Sequence, residues 1–211
     1  MVILPPSLVD WSYITVAWTH CSKEKYPQLQ HLPYPTEYPG SVLVEASVLQ
    51  CVRYCCCLSM LVTPMAWYGY TRTLALSVRG THYISRYLLR GVGTAFCTGL
   101  VGGLAVGCYD TNSKYDKSES GIAAMINDSY LMKIDVEHTQ WAVTTITFAF
   151  VFAVILLLFY EPAAGHNISK VEKALGGAGF GVVKGSLFAA LGIDKTLTTI
   201  PEVLVERKKN Y

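Results

Sequence analysis

Four long runs of apolar residues divide the chain, and shorter polar stretches separate them. The third run, over 141–160, holds no charged residue and contains the uninterrupted sequence FAFVFAVILLLF. The other runs cover 42–68, 88–109 and 171–193. A helix needs about 20 mostly apolar residues to cross a bilayer. The pattern therefore predicts an all-α membrane protein with four transmembrane helices.

The second and fourth runs are also consistent with buried helices of a soluble domain. We favour membrane spans because the third run already requires a lipid environment. Trp141 and Tyr160 lie at its two ends, as aromatic residues do at a membrane–water interface. Pro162 follows and is expected to end the helix.

Small residues recur at every fourth position in the second and fourth runs. Residues four apart lie on one face of a helix, so each row forms a groove without side chains. Glycine in a helix costs about 1 kcal/mol relative to alanine, so such rows need a compensating contact. In membranes that contact is close helix packing. We predict that the two helices pack against each other or a neighbouring subunit through Gly91, Ala95, Gly99, Gly103, Gly107, Gly177, Gly181, Gly185 and Ala189.

The first 40 residues are rich in proline, with tyrosine and tryptophan interleaved. Six of the nine prolines lie there, a density that prevents a long helix. We predict that residues 1–40 form an extended arm lying along another protein, with docking on the chain's own helices as the alternative. Residues 41–193 would form the four-helix transmembrane domain and residues 194–211 a C-terminal tail.

The predicted loops between the spans differ in charge. The first, residues 70–87, carries Arg72, Arg79 and Arg86 and no acidic residue, whereas the second, residues 110–139, is longer and mixed in charge. With four spans, both termini and the second loop share one side of the membrane. Because basic loops stay on the side where insertion starts, the first loop is expected to face that side.

Composition restricts the classes of function. Hydrophobic residues make up 52% and charged residues 15% of the chain, and the mean hydropathy is +0.33. Soluble domains carry about 25% charged residues. The composition therefore excludes a disordered chain and argues against an ordinary soluble enzyme. The formal net charge of +2 gives no electrostatic basis for binding nucleic acid.

Two cations, Arg53 and Lys184, lie inside the predicted spans. Ionised side chains cost about 2.5–3.5 kcal/mol at the centre of a bilayer, so they normally contact protein or water. One interpretation is a polar pathway. The other, which we prefer, is contact with a partner or with a lipid phosphate. Arg72 and Arg79 are candidates for the same kind of contact.

Residues that could perform catalysis or bind metal show no recognisable spacing. The chain has no GxxxxGK[ST], HExxH or GxSxG motif. Its seven cysteines, three of them consecutive at 55–57, include no CxxC pair. We interpret the cysteines as small apolar residues inside spans, with palmitoylation as the alternative. We therefore expect no catalytic residue, no cofactor and no metal.

Four short spans, glycine rows in two of them and a basic first loop resemble the mitochondrial inner-membrane translocase family. That family includes preprotein channel subunits and a four-helix accessory subunit of respiratory complex I. The resemblance covers residues 42–193 and depends on Gly91, Gly99, Gly103, Gly107, Gly177, Gly181 and Gly185. It implies a multi-pass protein of the mitochondrial inner membrane, with other membrane subunits and phospholipids such as cardiolipin as partners.

The sequence thus favours a non-catalytic accessory or scaffold subunit of complex I, the NADH:ubiquinone oxidoreductase, that stabilises assembly of its membrane arm. This function would account for the proline-rich arm and for the long second loop. The alternative is a component of an inner-membrane protein translocase or another transporter. That alternative requires a water-lined groove along one face of the helices.

Overall fold

The computed structural model describes residue 18 and residues 38–73, 81–161 and 168–191, with the side chains of 70–73, 81–85 and 136–137 outside that description. This part of the chain contains no strand and five α-helices: α1 (Pro39–Thr73), α2 (Thr81–Lys114), α3 (Glu119–Ile134), α4 (Val136–Phe159) and α5 (Lys170–Ala190). The predicted all-helical class is confirmed for these residues. The predicted tail, and the arm apart from residues 18 and 38–40, lie outside them.

Three helices are long and apolar enough to cross a membrane, and they indicate a membrane protein. The segments are Pro39–Gly69 in α1, Arg86–Lys114 in α2 and His138–Phe159 in α4. α5, the predicted fourth span, is not among the segments of this kind in the described residues. Its five glycines and four charged residues lower its hydropathy. The count of four spans therefore stays a prediction.

The prediction of a loop over residues 110–139 is wrong, because most of this stretch is helical. α2 continues to Lys114, and α3 begins after a short turn. The Ser118 hydroxyl accepts a hydrogen bond of 3.1 Å from the backbone N–H of Gly121 and so caps α3. Met125 and Ile126 of α3 are fully buried. The mixed charge of the stretch obscures this start signal in the sequence.

The chain divides into two compact units. Unit one consists of Met1–Val48 and Gly102–Thr139, and unit two consists of Leu49–Val101 and Gln140–Tyr211. α1 and α2 therefore each contribute one part to unit one and the other part to unit two. In unit one, Tyr115 and Met125 form a buried core against which Leu43 packs.

Four helices contact one another in a closed ring within unit two. Each contact joins two helices through a small or polar residue: Gly99 with Val52 (α2 and α1), Gly179 with Val92 (α5 and α2), Gly177 with Ala153 (α5 and α4) and Arg53 with Thr145 (α1 and α4). The helices of unit two therefore approach one another closely at glycines, with buried side chains such as Leu89 and Val92 between them.

Candidate functional site

The glycine row of α2 lies against α1. In unit two, a Cβ atom added at Gly91 would lie 2.6 Å from Oγ1 of Thr63, and one added at Gly99 would lie 2.6 Å from Cα of Val52. Both distances are shorter than the contact distance of two heavy atoms, so only glycine permits this approach. The contacts also show that α1 and α2 are antiparallel, because higher residue numbers on α2 meet lower numbers on α1.

The other members of this row are buried to different degrees. Gly107 belongs to unit one, where a Cβ atom added to it would lie 3.0 Å from Cβ of Ser47 on α1. Gly103 is buried and Ala95 is half-buried. The row of α2 thus lies against α1 of the same chain.

The glycine row of α5 lies against α4, also in antiparallel order. A Cβ atom at any of its glycines would meet a backbone carbonyl oxygen of α4: Gly177 with Phe152 at 2.5 Å, Gly181 with Phe148, and Gly185 with Thr144 at 3.0 Å. Ala189, the last member of the row, is also buried. The two predicted rows therefore meet different helices and not each other.

α2 and α5 do pack on each other, but through glycines outside the two rows. A Cβ atom at Gly93 would lie 3.1 Å from the backbone N of Gly176, and one at Gly179 would lie 2.5 Å from Cγ1 of Val92. A Cβ atom at Gly176 would also meet the side chain of Leu89. Leu89 contacts Gly176 and Val92 contacts Gly179, so residue numbers increase in the same direction along both helices and α2 and α5 are parallel. The every-fourth pattern misses these glycines, although Gly176 directly precedes the row.

A polar layer crosses unit two at the level of Arg53. The Arg53 Nε–H donates a hydrogen bond of 3.2 Å to Oγ1 of Thr145 on α4. The guanidinium carbon lies 5.0 Å from the centre of the Trp141 ring, which is a cation–π distance. Thr145 is 1% exposed and Thr144 is 7% exposed. The sequence singles out Arg53, but nothing in the sequence pairs it with Thr145 and Trp141.

Two buried polar atoms near this layer have no hydrogen-bond partner among the described residues: Nη2 of Arg53 and Oγ of Ser186. Ser186 follows Gly185, whose Cβ position lies 3.0 Å from Cα of Thr145. The ring face of Trp141 compensates the charge of Arg53 in part, since an aromatic face attracts a cation. The partners described for the Arg53 guanidinium, Thr145 and Trp141, are both neutral, and they hold it between α1 and α4.

The remaining predicted contact residues lie elsewhere. Lys184 is exposed on α5, on the surface of unit two. Arg72 lies in α1, but its side chain is outside the described residues, and Arg79 is outside them entirely. The structure thus brings neither Lys184 nor the loop arginines together with Arg53.

A second polar cluster, in unit one, connects the end of α2 to α3. The Asp128 carboxylate accepts hydrogen bonds from Nζ of Lys114 at 2.7 Å and from the Tyr115 hydroxyl at 2.5 Å. These bonds, the one from Lys114 above all, hold the pKa of Asp128 below its ordinary value. Burial, together with the hydrogen bond to Asp128, raises the pKa of Tyr115. The cluster fixes the corner between the two helices.

Metal-binding chemistry has no candidate in the part of the chain that the structure describes, where no group of three or more His, Cys, Asp or Glu side chains could hold an ion. The six cysteines in that part are free thiols.

Comparison of the chain with known proteins found no matching family model, no matching curated protein and no matching solved structure.

Proposed function

We propose that the chain is a non-catalytic scaffold subunit of a larger membrane complex. The observation that supports this proposal best is the glycine packing of unit two. Backbone contacts between α2 and α1, α5 and α4, and α2 and α5 hold the helices at distances that side chains would prevent. Such packing makes a rigid body, which suits a subunit whose role is to hold neighbours in place.

The outward surface of the helices fits the same role. Large apolar side chains are exposed along α4, among them Phe150 at 71% and Phe159 at 76%, and along α2, where Val101 is 70% exposed. A surface of this kind is covered in the cell by lipid or by helices of partner subunits. The predicted arm of residues 1–40 would extend the contact to proteins beyond the neighbouring helices.

The family resemblance makes complex I of the mitochondrial inner membrane the first complex to examine. In this proposal the subunit crosses the membrane four times, binds other membrane subunits and phospholipids, and stabilises assembly of the membrane arm. A component of a protein translocase or another transporter is the second candidate. The polar layer around Arg53, Thr145 and Ser186 favours this candidate, because a transport path needs polar groups inside the membrane.

The test uses the full chain, tagged at its C-terminus, in cells depleted of the native protein. Membranes are solubilised in mild detergent and separated on a native gel. We expect the tagged chain to migrate with complex I subunits and with NADH dehydrogenase activity, and depletion to lower the amount of assembled complex. Migration with a preprotein translocase, together with impaired import of precursor proteins, would establish the second candidate instead.

Two variants make this experiment specific for glycine packing. Gly181→Leu places a side chain against the backbone of α4 and should lower the amount of assembled complex. Leu157→Ile changes an exposed position on α4 with little change in volume and should leave assembly unchanged. Equal effects of the two variants would show that the glycine contacts do not support assembly.

A further inference from the structure

Four cations lie at one end of unit two, where α2 and α5 begin. They are Arg86, Arg90, Lys170 and Lys173, and the described carboxylates at this end are Glu161 and Glu172. The two helix starts lie side by side because α2 and α5 are parallel and Leu89 contacts Gly176. The cations of both helices therefore belong to one surface, which we call the basic end.

Two contacts join α4 and α1 to the basic end. Nζ of Lys173 donates a hydrogen bond of 2.6 Å to the backbone carbonyl of Tyr160, which follows α4. The rings of Trp67 on α1 and Tyr87 on α2 pack with their centres 5.2 Å apart. Trp and Tyr collect at membrane–water interfaces, so these rings place the basic end at the level of lipid headgroups.

Arg90 and Lys170 of the basic end are exposed, although Arg90 is paired. Nε of Arg90 bonds Oε1 of Glu172 at 2.7 Å, but the Arg90 side chain is still 51% exposed. A guanidinium has five N–H donors, so this bond leaves donors for a second acceptor. Lys170 is exposed, and no carboxylate beyond Glu161 and Glu172 lies at this end among the described residues. The surface therefore keeps a positive charge.

Exposed apolar residues are the sequence neighbours of residues at the basic end. Val171, which follows Lys170, is 65% exposed, and Phe159, which precedes Tyr160, is 76% exposed. A soluble anion would use the cations alone. A phospholipid would use both features, with its phosphate at the cations and its acyl chain along the apolar side chains.

We propose that the basic end binds the headgroups of anionic phospholipids. The residues that carry the binding are Arg86, Arg90 and Lys170, with Lys173 positioned by Tyr160. This surface differs from the lipid contacts expected from the sequence, which are Arg53, Arg72, Arg79 and Lys184. The proposal rests on the phospholipid binding of the proposed function and names its site; lipid stabilisation of the purified chain tests it separately from assembly of the complex.

The test measures melting of the purified full-length chain in neutral detergent as lipid is added. We expect phosphatidylglycerol or cardiolipin to raise the melting temperature more than phosphatidylcholine does, and the difference to shrink at high salt. Inorganic phosphate at millimolar concentration should give no comparable rise. Equal stabilisation by anionic and zwitterionic lipid would overturn the proposal, and an equal rise with phosphate would assign the surface to a soluble anion.

Charge variants identify the residues. The double variant Arg86→Gln with Lys170→Gln should lower the affinity for anionic lipid about 25-fold, since each basic residue near an anionic surface contributes about fivefold. The matched control, Lys117→Gln with Lys133→Gln, removes two cations from unit one and should leave the affinity unchanged. If the double variant fails to fold, Lys170→Gln alone changes one exposed side chain and should weaken binding about fivefold. Unchanged affinity in the basic-end variants would contradict the proposal.

Discussion

Individual glycines of this chain differ sharply in what surrounds them. A Cβ atom at Gly181 would meet the backbone of Phe148, which cannot move without shifting α4. A Cβ atom at Gly102 would meet nothing within 4 Å. The same substitution at these two positions therefore has opposite consequences.

Gly181→Ala should lower the free energy of unfolding by about 1–2 kcal/mol. The clash is with the backbone of α4, so its cost lies in the upper part of the usual range, about 2–3 kcal/mol, and the better helix propensity of alanine returns about 1 kcal/mol. Gly102→Ala brings the better helix propensity of alanine without a steric clash, so it should leave the free energy of unfolding unchanged or raise it slightly. Denaturant unfolding of the purified protein measures both, and a Gly181→Ala protein as stable as the wild type would mean that α4 and α5 are not in contact.

The sequence predicts that these glycines pack, but it cannot predict what they pack against. A spacing of four residues defines one face of a helix and says nothing about the helix opposite. Gly93, Gly176 and Gly179 are outside the pattern because α2 and α5 each contact two helices on two faces. Arg53 is recognisable as a charge in an apolar run, whereas its partners Thr145 and Trp141 depend on how the helices are arranged.

At the scale of elements, α3 is the largest difference between the expectation and the structure. Apolar content locates a helix that lies in lipid, and α1, α2 and α4 follow that signal. α3 has a Ser118 cap and a few buried residues in a stretch with charges of both signs. Its stability comes from the core around Tyr115 and Met125. Because that core is assembled from distant segments, a hydropathy pattern does not show it.

The attachment of α3 to α2 should depend on pH through Asp128. The folded state lowers the pKa of this carboxyl, so its contribution is present above the unfolded value of about 3.9 and is lost as the pH falls through the folded pKa. The Asp128 side chain is 36% exposed and that of Lys114 64%. An ion pair at this exposure contributes about 0.2–1 kcal/mol.

Amide hydrogen exchange of α3 measured across the acidic range tests this dependence. Protection in the wild type should fall as Asp128 is protonated, and Asp128→Asn should start lower and change less with pH. Asp110→Asn removes an exposed carboxylate near the end of α2, outside this cluster, and should keep the wild-type dependence. Identical pH dependence in all three proteins would show that Asp128 does not hold the corner.

At the scale of the whole molecule, the number of spans decides where the C-terminus lies. α5 is antiparallel to α4 along three successive glycine contacts, which supports a fourth crossing although α5 is less apolar than the other three helices. With four spans, tags at the N- and C-termini should be cleaved by protease from the same side of sealed membrane vesicles. Cleavage from opposite sides would leave three spans, with α5 outside the membrane.

The contact of α5 with both α2 and α4 has a consequence for biogenesis. α5 is the last of the five helices to leave the ribosome, and its glycines and charged residues give it little affinity for lipid by itself. We therefore expect α5 to stay in the membrane only where it can pack on the backbones of α2 and α4. A nascent chain that ends before Lys170 would leave the backbone of α4 at Phe148 and Phe152 without the glycines that pack on it. The insertion of α5 is therefore expected to depend on α2 and α4 being in place first.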